Sequence, residues 1–379
     1  MSGKIRIAAC IFLLLALGLN ANAANTIVPL YGNSGGAVLA VAVAPLAPGW
    51  VVTAACNVTQ DEVEVIVWHD TGAALAQEGS SSTPEACWNV AITTLNSSTV
   101  ITANSDAYNS QLGYLTAWSV SSTGSITPEG TPAVISGNPY ELSITALTSG
   151  RVVTATTYNN LSLAVTSWQV ASDGTITQES NVNEYTNNFV WSGSIVAVNS
   201  GLVVTASQIG DAQDLQLTSW AVGNNYILQQ GSVTAGVVDA FFPVVHWYSN
   251  EVLTPVSNGQ NNLEVIDWTA GSSVKRLATG TGVGLGSGLV NTAACIIPGD
   301  YLVLLPVNTF SGNLSVQVWT RIQSGSGFKM SKIASYNSSW PVEQSFFALG
   351  AAGLNTHRTV TAYIQNSTLN LELEVWQWQ

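Results

Sequence analysis

Positive charge is what this chain has least of. Nine Lys and Arg residues face twenty-two Asp and Glu in 379 positions, for a net charge of −13. So few cations cannot neutralise a run of phosphates, which excludes nucleic acid and anionic membrane surfaces as partners. Histidine is nearly absent: His69, His246 and His357 lie far apart, so no zinc pair is spelled out. There is no phosphate loop and no Asp-x-Asp-x-Asp-Gly calcium loop. No apolar run reaches the ~18 residues that a membrane-spanning helix needs. Hydrophobic residues nonetheless make up 46% of the chain. That is ample for a packed core, and it excludes disorder.

The first residues read as an export signal. Lys4 and Arg6 precede an apolar stretch at 7–19, and Ala21-Asn22-Ala23 supplies small residues for cleavage. Residues 1–23 are thus expected to be a signal peptide, with one mature domain over 24–379. Loss of Lys4 and Arg6 would carry the net charge from −13 to −15. Cys10 sits at the front of the apolar stretch, where a lipid-attachment cysteine would not. The reading is a secreted or periplasmic protein, a setting in which disulfides persist. Three cysteines remain after cleavage. Cys56 and Cys87 are expected to bridge on one face of the fold and Cys295 to stay a buried thiol, the alternative being three unpaired core cysteines.

What the chain does contain is a repeat. A Val-Thr-Ala-like run recurs at 51–54, 100–103, 152–155, 203–206, 252–255, 303–306 and 359–362. Each run precedes an alternating segment that carries a tryptophan: Trp68, Trp118, Trp168, Trp220, Trp268, Trp319 and Trp376. Successive tryptophans are 50, 50, 52, 48, 51 and 57 residues apart. A strand-built period near fifty specifies an all-β seven-bladed propeller with one four-stranded antiparallel blade per repeat. In the fourth repeat, strands a to d are expected over 193–199, 202–208, 215–222 and 226–231. Leu215 and Leu217 oppose Trp220 and Val222 in parity, so both faces of the blade are buried. The chain stops within the seventh strand c. Residues 25–31 read as the missing outer strand of that last blade, and Pro29 is tolerable on such an edge. A loop then leads to the first inner strand at 37–44. A six-bladed ring with an appended hairpin is the rival count.

Two repeats carry Trp118-Ser119-Val120 with Gly124-Ser125-Ile126-Thr127, and Trp168-Gln169-Val170 with Gly174-Thr175-Ile176-Thr177. This cadence, with its preceding Val-Thr-Ala strand, resembles the YVTN and lactonase-type seven-bladed propeller repeats. The resemblance spans essentially all of the mature chain and implies a fold. The Tyr-Val-Thr-Asn core itself is absent and no lactonase active site matches residue by residue, so it implies no activity.

Loops joining strands a to b and c to d read as short. Those joining b to c and d to the next a are longer and varied: 57–62, 104–111, 131–140, 181–191, 231–239 and 335–343. Varied loops on one rim of a rigid ring are where binding concentrates. Candidate ligand contacts there are Trp88, Tyr140, Trp191 and Trp340 with Asp106 and Asp211; Phe241 lies in the same zone. Rings beside amide and carboxyl side chains suit stacking on sugars, or they plug the top of the core. Glu85, Glu141, Asp239 and Glu343 each stand just before or at the start of an inner strand. They could hold calcium through oxygen ligands, or form a solvated collar. Trp50 and Trp247 read as structural. The composite expectation is an exported, non-enzymatic propeller that binds a carbohydrate or protein ligand. A sugar- or lactone-active hydrolase or lyase using rim carboxylates, or a structural subunit of an extracellular assembly, are the alternatives.

Overall fold

A computed structural model of the chain describes residues 25–106, 112–147, 150–158, 162–184, 190–238, 243–258, 260, 262–282, 289–309, 312–343 and 347–379. The expected leader lies outside them. The described residues form twenty-eight strands and no helix. No helix long and apolar enough to cross a membrane is therefore present among them.

The strands group into seven blades. The first takes the second half of β1 (Ile27–Ala47) with β2 (Trp50–Asn57), β3 (Glu62–Asp70) and β4 (Leu75–Thr83). The second is β5 (Asn89–Asn96), β6 (Thr99–Ser105), β7 (Gly113–Val120) and β8 (Ile126–Ile135). The third is β9 (Pro139–Leu147), β10 (Arg151–Tyr158), β11 (Leu163–Val170) and β12 (Ile176–Glu184). The fourth is β13 (Val190–Asn199), β14 (Leu202–Ile209), β15 (Asp214–Gly223) and β16 (Tyr226–Val237). The fifth is β17 (Val245–Tyr248), β18 (Glu251–Ser257), β19 (Leu263–Thr269) and β20 (Arg276–Thr281). In the sixth the inner strand is split into β21 (Leu289–Thr292) and β22 (Cys295–Ile297), followed by β23 (Leu302–Thr309), β24 (Asn313–Ser324) and β25 (Gly327–Pro341). The seventh is β26 (Leu349–Asn355), β27 (Arg358–Ile364) and β28 (Asn370–Trp378), completed by the first half of β1.

One pairing repeats in every blade. Each strand-c tryptophan lies opposite the first residue of the Val-Thr-Ala-like run: Val51↔Trp68, Val100↔Trp118, Val152↔Trp168, Val203↔Trp220, Val252↔Trp268, Val303↔Trp319 and Thr359↔Trp376. The threonine two residues further along strand b shares that face, because side chains alternate with period two. The indole therefore lies over it. Trp68, Trp118, Trp168, Trp220, Trp268 and Trp376 donate through Nε1 to Oγ1 of Thr53, Thr102, Thr154, Thr205, Thr254 and Thr361 at 2.8–3.0 Å. In the sixth blade Leu305 occupies the threonine position, and Trp319 donates instead to Gln317 Oε1 at 3.1 Å. All seven rings are buried. Each burial contributes about 2–3 kcal/mol.

Opposite the tryptophan, strand d makes room by bulging. Glu78, Glu179, Gln230, Leu277, Ile333 and Leu30 are each one extra residue against strand c. In the second blade the irregularity falls beside it, between Leu115 and Ala117. Just past the bulge the next blade's c–d turn comes in close. A Cβ on Gly79 would stand 2.5 Å from the carbonyl oxygen of Gly124, and Gly124 itself has φ +84°. The Gly-Ser-Ile-Thr cadence of the sequence is thus a blade-to-blade contact as well as a turn.

Closure runs through β1. Its first half pairs with β28 from Ile27↔Trp378 to Ala37↔Asn370, and its second half with β2 from Val38↔Asn57 onward. The loop expected between these halves is absent: strand geometry continues from the outer edge of the last blade into the inner edge of the first. An ionic cluster sits at that seam. Arg358 donates to both carboxylate oxygens of Asp70 at 3.0 and 3.3 Å, Asn355 donates to Asp70 at 3.0 Å, and the Tyr31 hydroxyl donates to it as well. Burial alone would raise the Asp70 carboxyl, but hydrogen bonds from Tyr31, Gly72 and Arg358 hold it below its usual range. Burial and the Asp70 contact push the Tyr31 hydroxyl up to about 12.

Outer strands are longer than read from sequence. β8, β12, β16 and β25 extend to Ile135, Glu184, Val237 and Pro341, converting much of the expected rim loops into strand. Their solvent-facing edges are rich in Ser, Thr and Gln, so hydrophobic periodicity does not report them. Cys56 and Cys87 form a disulfide with Cα atoms 5.2 Å apart, tying the end of β2 to the turn that enters β5. Closing a loop of 31 residues contributes about 3–4 kcal/mol in the chain-entropy picture. Cys295 is a buried free thiol whose burial pushes its ionisation up, leaving it unreactive.

The indole–threonine pair is directly testable. Thr205→Val preserves shape but leaves the buried Trp220 N–H without its acceptor, and should cost about 1–3 kcal/mol in urea unfolding. Thr205→Ser keeps the oxygen and should cost clearly less. Equal losses would mean that the hydroxyl acts only as volume.

Candidate functional site

Strand a of each blade has an inner edge that no strand of its own blade covers, so its N–H groups need other partners. Neighbouring inner strands supply them through side chains. Glu141 Oε2, Ser143 Oγ and Thr145 Oγ1, alternate residues on one face of β9, accept from the N–H groups of Gly193, Ile195 and Ala197 on β13 at 3.1, 3.1 and 3.0 Å. Thr93 does the same for Ala146 at 3.2 Å, and Ser194 for Val244 at 3.0 Å. Hydroxyls on the inner strands, Ser194 of the fourth blade among them, thus stitch neighbouring blades together.

Where these strands begin, on the long-loop face, they surround an axial cavity of about 150 Å³. Asn89 comes from the second blade, Glu141 and Ser143 from the third, Ser192 and Ser194 from the fourth, Asn291 and Thr292 from the sixth, and Phe347 and Leu349 line the seventh-blade side. Glu141 is the one titratable group among these lining residues, and no Lys, Arg or His joins it. Its side chain keeps some accessible surface toward the cavity. The surrounding ring nevertheless screens it from bulk water. Burial pushes its carboxyl up to about 8, against the smaller opposing effect of the Gly193 N–H. At neutral pH it is a largely protonated acid, able to donate and accept. Asn89 is buried, and its Oδ1 has no protein hydrogen-bond partner.

The rim residues fall into separate groups. Trp88 donates its backbone N–H to Ser105 O at 2.7 Å, and Ser105 Oγ reaches Tyr140 O at 3.4 Å. Trp88, Asp106 and Tyr140 thereby share one patch between the second and third blades. Tyr140 is exposed, Trp88 half-buried and Asp106 buried. Trp191 is exposed and donates through Nε1 to Gly210 O at 3.1 Å, next to the exposed Asp211 in the fourth blade. Trp340 lies apart, half-buried against Tyr363 in a stacked arrangement at 6.3 Å and beside Trp376 at 5.8 Å. Glu85 and Glu343 sit half-buried in the turns entering the second and seventh blades. Glu85 Oε2 is buried without a partner. Asp239 and Phe241 lie outside the described residues. Among the described residues no three His, Cys, Asp or Glu side chains are placed to share a metal ion.

The histidines stay apart, as their positions require. His69 stacks on Trp50 at 4.2 Å, His246 Nε2 meets Ser249 O at 2.8 Å, and His357 Nδ1 meets Asp300 Oδ2 at 2.6 Å. Asn89, Ser192, Ser194, Asn291 and Thr292 were not marked by the sequence. Their only linear signal is a small polar residue near the start of an inner strand.

No protein-family model matches the chain, and no curated protein sequence matches it. Solved structures do resemble it in fold. A protein from Lactobacillus plantarum superposes with a TM-score of 0.54 at 12% identity, over 82% of this chain and 88% of its own. A protein from Bacteroides uniformis, described as a candidate 6-phosphogluconolactonase, superposes with a TM-score of 0.52 at 9% identity over the same shares. At these identities the likeness is one of lactonase-like propeller architecture.

Glu141 makes a signed prediction. Its folded-state value, about 8, lies above the ordinary 4.5. The folded ring therefore holds this proton more tightly than the unfolded chain does. The resulting stability is complete below about pH 4.5 and is lost as pH rises through about 8. Glu141→Gln keeps the acceptor for Gly193 and removes the titration. Between pH 5 and 9 the urea midpoint of the native protein should fall more steeply than that of the variant. Parallel curves would contradict the assignment.

Proposed function

We propose that the protein is an exported, non-enzymatic propeller that binds a carbohydrate on its long-loop face. The observation that carries this reading is the chemistry of the axial cavity. Its polar lining is made of uncharged hydrogen-bonding groups, Asn89, Ser143, Ser192, Ser194, Asn291 and Thr292, around a carboxyl that burial keeps protonated near neutrality. Such a lining matches hydroxyls, which both donate and accept, and among the described residues it presents no charge with which to hold an ion. The exposed Tyr140, with Trp88 alongside, would offer a ring face at the rim for stacking. Export is supported by the basic, apolar and small-residue segments at 4–23, and by a disulfide that needs an oxidising compartment.

The fold likeness to a candidate phospho-sugar lactonase raises a second reading, hydrolysis of a sugar lactone. Two features weigh against it. Among the described residues the cavity offers one carboxyl and no second acid or base, and no cationic side chain lines it to meet a phosphate.

The test uses the mature chain, its start near Ala24 verified by N-terminal sequencing, on a glycan array. Binding to a defined glycan class is expected. Trp88→Ala and Tyr140→Ala should each weaken it by about tenfold, the scale of one lost aromatic contact. Absence of binding to every glycan would discard the carbohydrate reading. Turnover of 6-phosphogluconolactone that disappears in Glu141→Gln would replace it with the enzymatic one.

A further inference from the structure

The opposite face holds a larger recess, of about 280 Å³, at the junction of the fifth and sixth blades. It is lined by Trp247, Tyr248, Tyr301, Thr320 and Arg321. Three features mark it as built. First, its walls are aromatic and open: Tyr248 is 50% and Tyr301 70% exposed, and their rings meet edge to face at 5.4 Å. Large exposed rings are costly to leave in water, and two set at right angles form a notch with one flat side and one edge.

Second, the sixth blade departs from the repeat at this place. β24 runs five residues past its tryptophan, to Ser324, where the other strand-c elements run one to three. The extra length forms a projecting hairpin, paired through Ser324↔Gly327, that carries Arg321 and Phe328. Third, the polar floor is fixed. Arg321 is held by Glu251 at 2.9 Å and by the buried Asp267 at 2.8 Å, both reaching Nη1, and its guanidinium lies 4.9 Å over the Phe328 ring. Thr320 Oγ1 is positioned by Tyr301 O at 3.3 Å.

These groups select a ligand class by elimination. Two carboxylates, set behind the guanidinium, outnumber it, so an anion finds no spare positive charge there. A cation would have to sit against Arg321 itself. A wholly apolar ligand would strand the guanidinium, the tyrosine hydroxyls and Thr320. A neutral sugar ring satisfies all of them. Its C–H face lies on an aromatic ring, and its hydroxyls meet Arg321 donors and the tyrosine oxygens. The volume, just under the ~300 Å³ at which enclosing small-molecule sites begin, fits one ring better than a chain. We infer that the fifth–sixth blade recess, built on Tyr248, Tyr301 and Arg321, is a second carbohydrate site that takes a single neutral pyranose unit on the short-loop face.

The site is independent of the axial cavity and is tested separately from it. Saturation-transfer NMR on the mature protein would use methyl α- and β-pyranosides of glucose, galactose, mannose and N-acetylglucosamine. It would be run in the native chain and in a Trp88→Ala/Tyr140→Ala background that removes both rings proposed to stack on the long-loop face. Transfer to at least one pyranoside should persist in that background. It should fall at least tenfold on adding Tyr301→Ala or Tyr248→Ala, both exposed rings whose loss spares blade packing. Tyr301→Phe should retain most of it. Loss of all transfer in the background would overturn this inference and leave the axial reading standing. So would transfer indifferent to both tyrosines. Transfer that survives in the background and depends on Tyr301 would establish it whatever the fate of the axial site.

Discussion

A buried indole N–H must find an acceptor, and seven of them in this chain do so in nearly one way. The tryptophan of strand c reaches diagonally across to a threonine on strand b in six blades, and to Gln317 in the seventh instance, where Leu305 has removed the hydroxyl. Leaving such a donor unpaired inside a blade costs about 1–3 kcal/mol, and a one-residue slip of the b–c register would turn every tryptophan to the wrong face. That contact fixes register, and register in turn fixes where strand d must bulge around the ring. Glu78, Glu179 and Gln230 occupy equivalent bulges for this reason. Similar sheets with a bulky ring at the same depth pack as similar wedges.

Closing the ring then sets the remaining demands. Inner edges face the axis without a partner strand of their own blade, and Glu141, Ser143 and Thr145 answer for the third-to-fourth junction. Outer edges are closed at the seam by β1, which serves two blades without a break. Three of the scarce arginines sit at junctions on the short-loop face. Arg151 joins Glu179 to Asn224, Arg321 joins the sixth blade to Glu251 and Asp267, and Arg358 joins the seventh to Asp70. The described lining of the long-loop cavity, by contrast, holds uncharged donors and a protonated acid, which is the chemistry its proposed ligand needs.

Much of this architecture was legible in the linear chain because each repeat carries its own marker. Val-Thr-Ala and the following tryptophan are two halves of one local contact, so both recur at a readable period. Residues 25–31 as the completing strand, and Cys56 with Cys87 at one face, followed from counting strands. The polar outer strands were not legible, since a strand with one wet face and many Ser and Thr residues reads as loop; hence the underestimate of β16 and β25. The axial cavity was hidden for another reason. Asn89, Glu141, Ser192 and Asn291 converge only when blades far apart in sequence meet at the axis, and no linear spacing encodes that. Glu141 was singled out as one of four acids, yet its surroundings, a backbone N–H and hydroxyls, were invisible. The recess at Tyr248 and Tyr301 escaped because short turns were read as structurally minimal.

Amide-type exchange at the indole nitrogens tests the central constraint most directly. With tryptophan labelled by ¹⁵N, the Nε1–H signals of Trp68, Trp118, Trp168, Trp220, Trp268, Trp319 and Trp376 should survive transfer into D₂O about as long as the backbone amides of strands b and c. The exposed Trp191 indole should vanish far sooner. Strand-c indole signals that disappear as quickly as that of Trp191, while the backbone stays protected, would show that the blades are held in register by something other than these seven contacts.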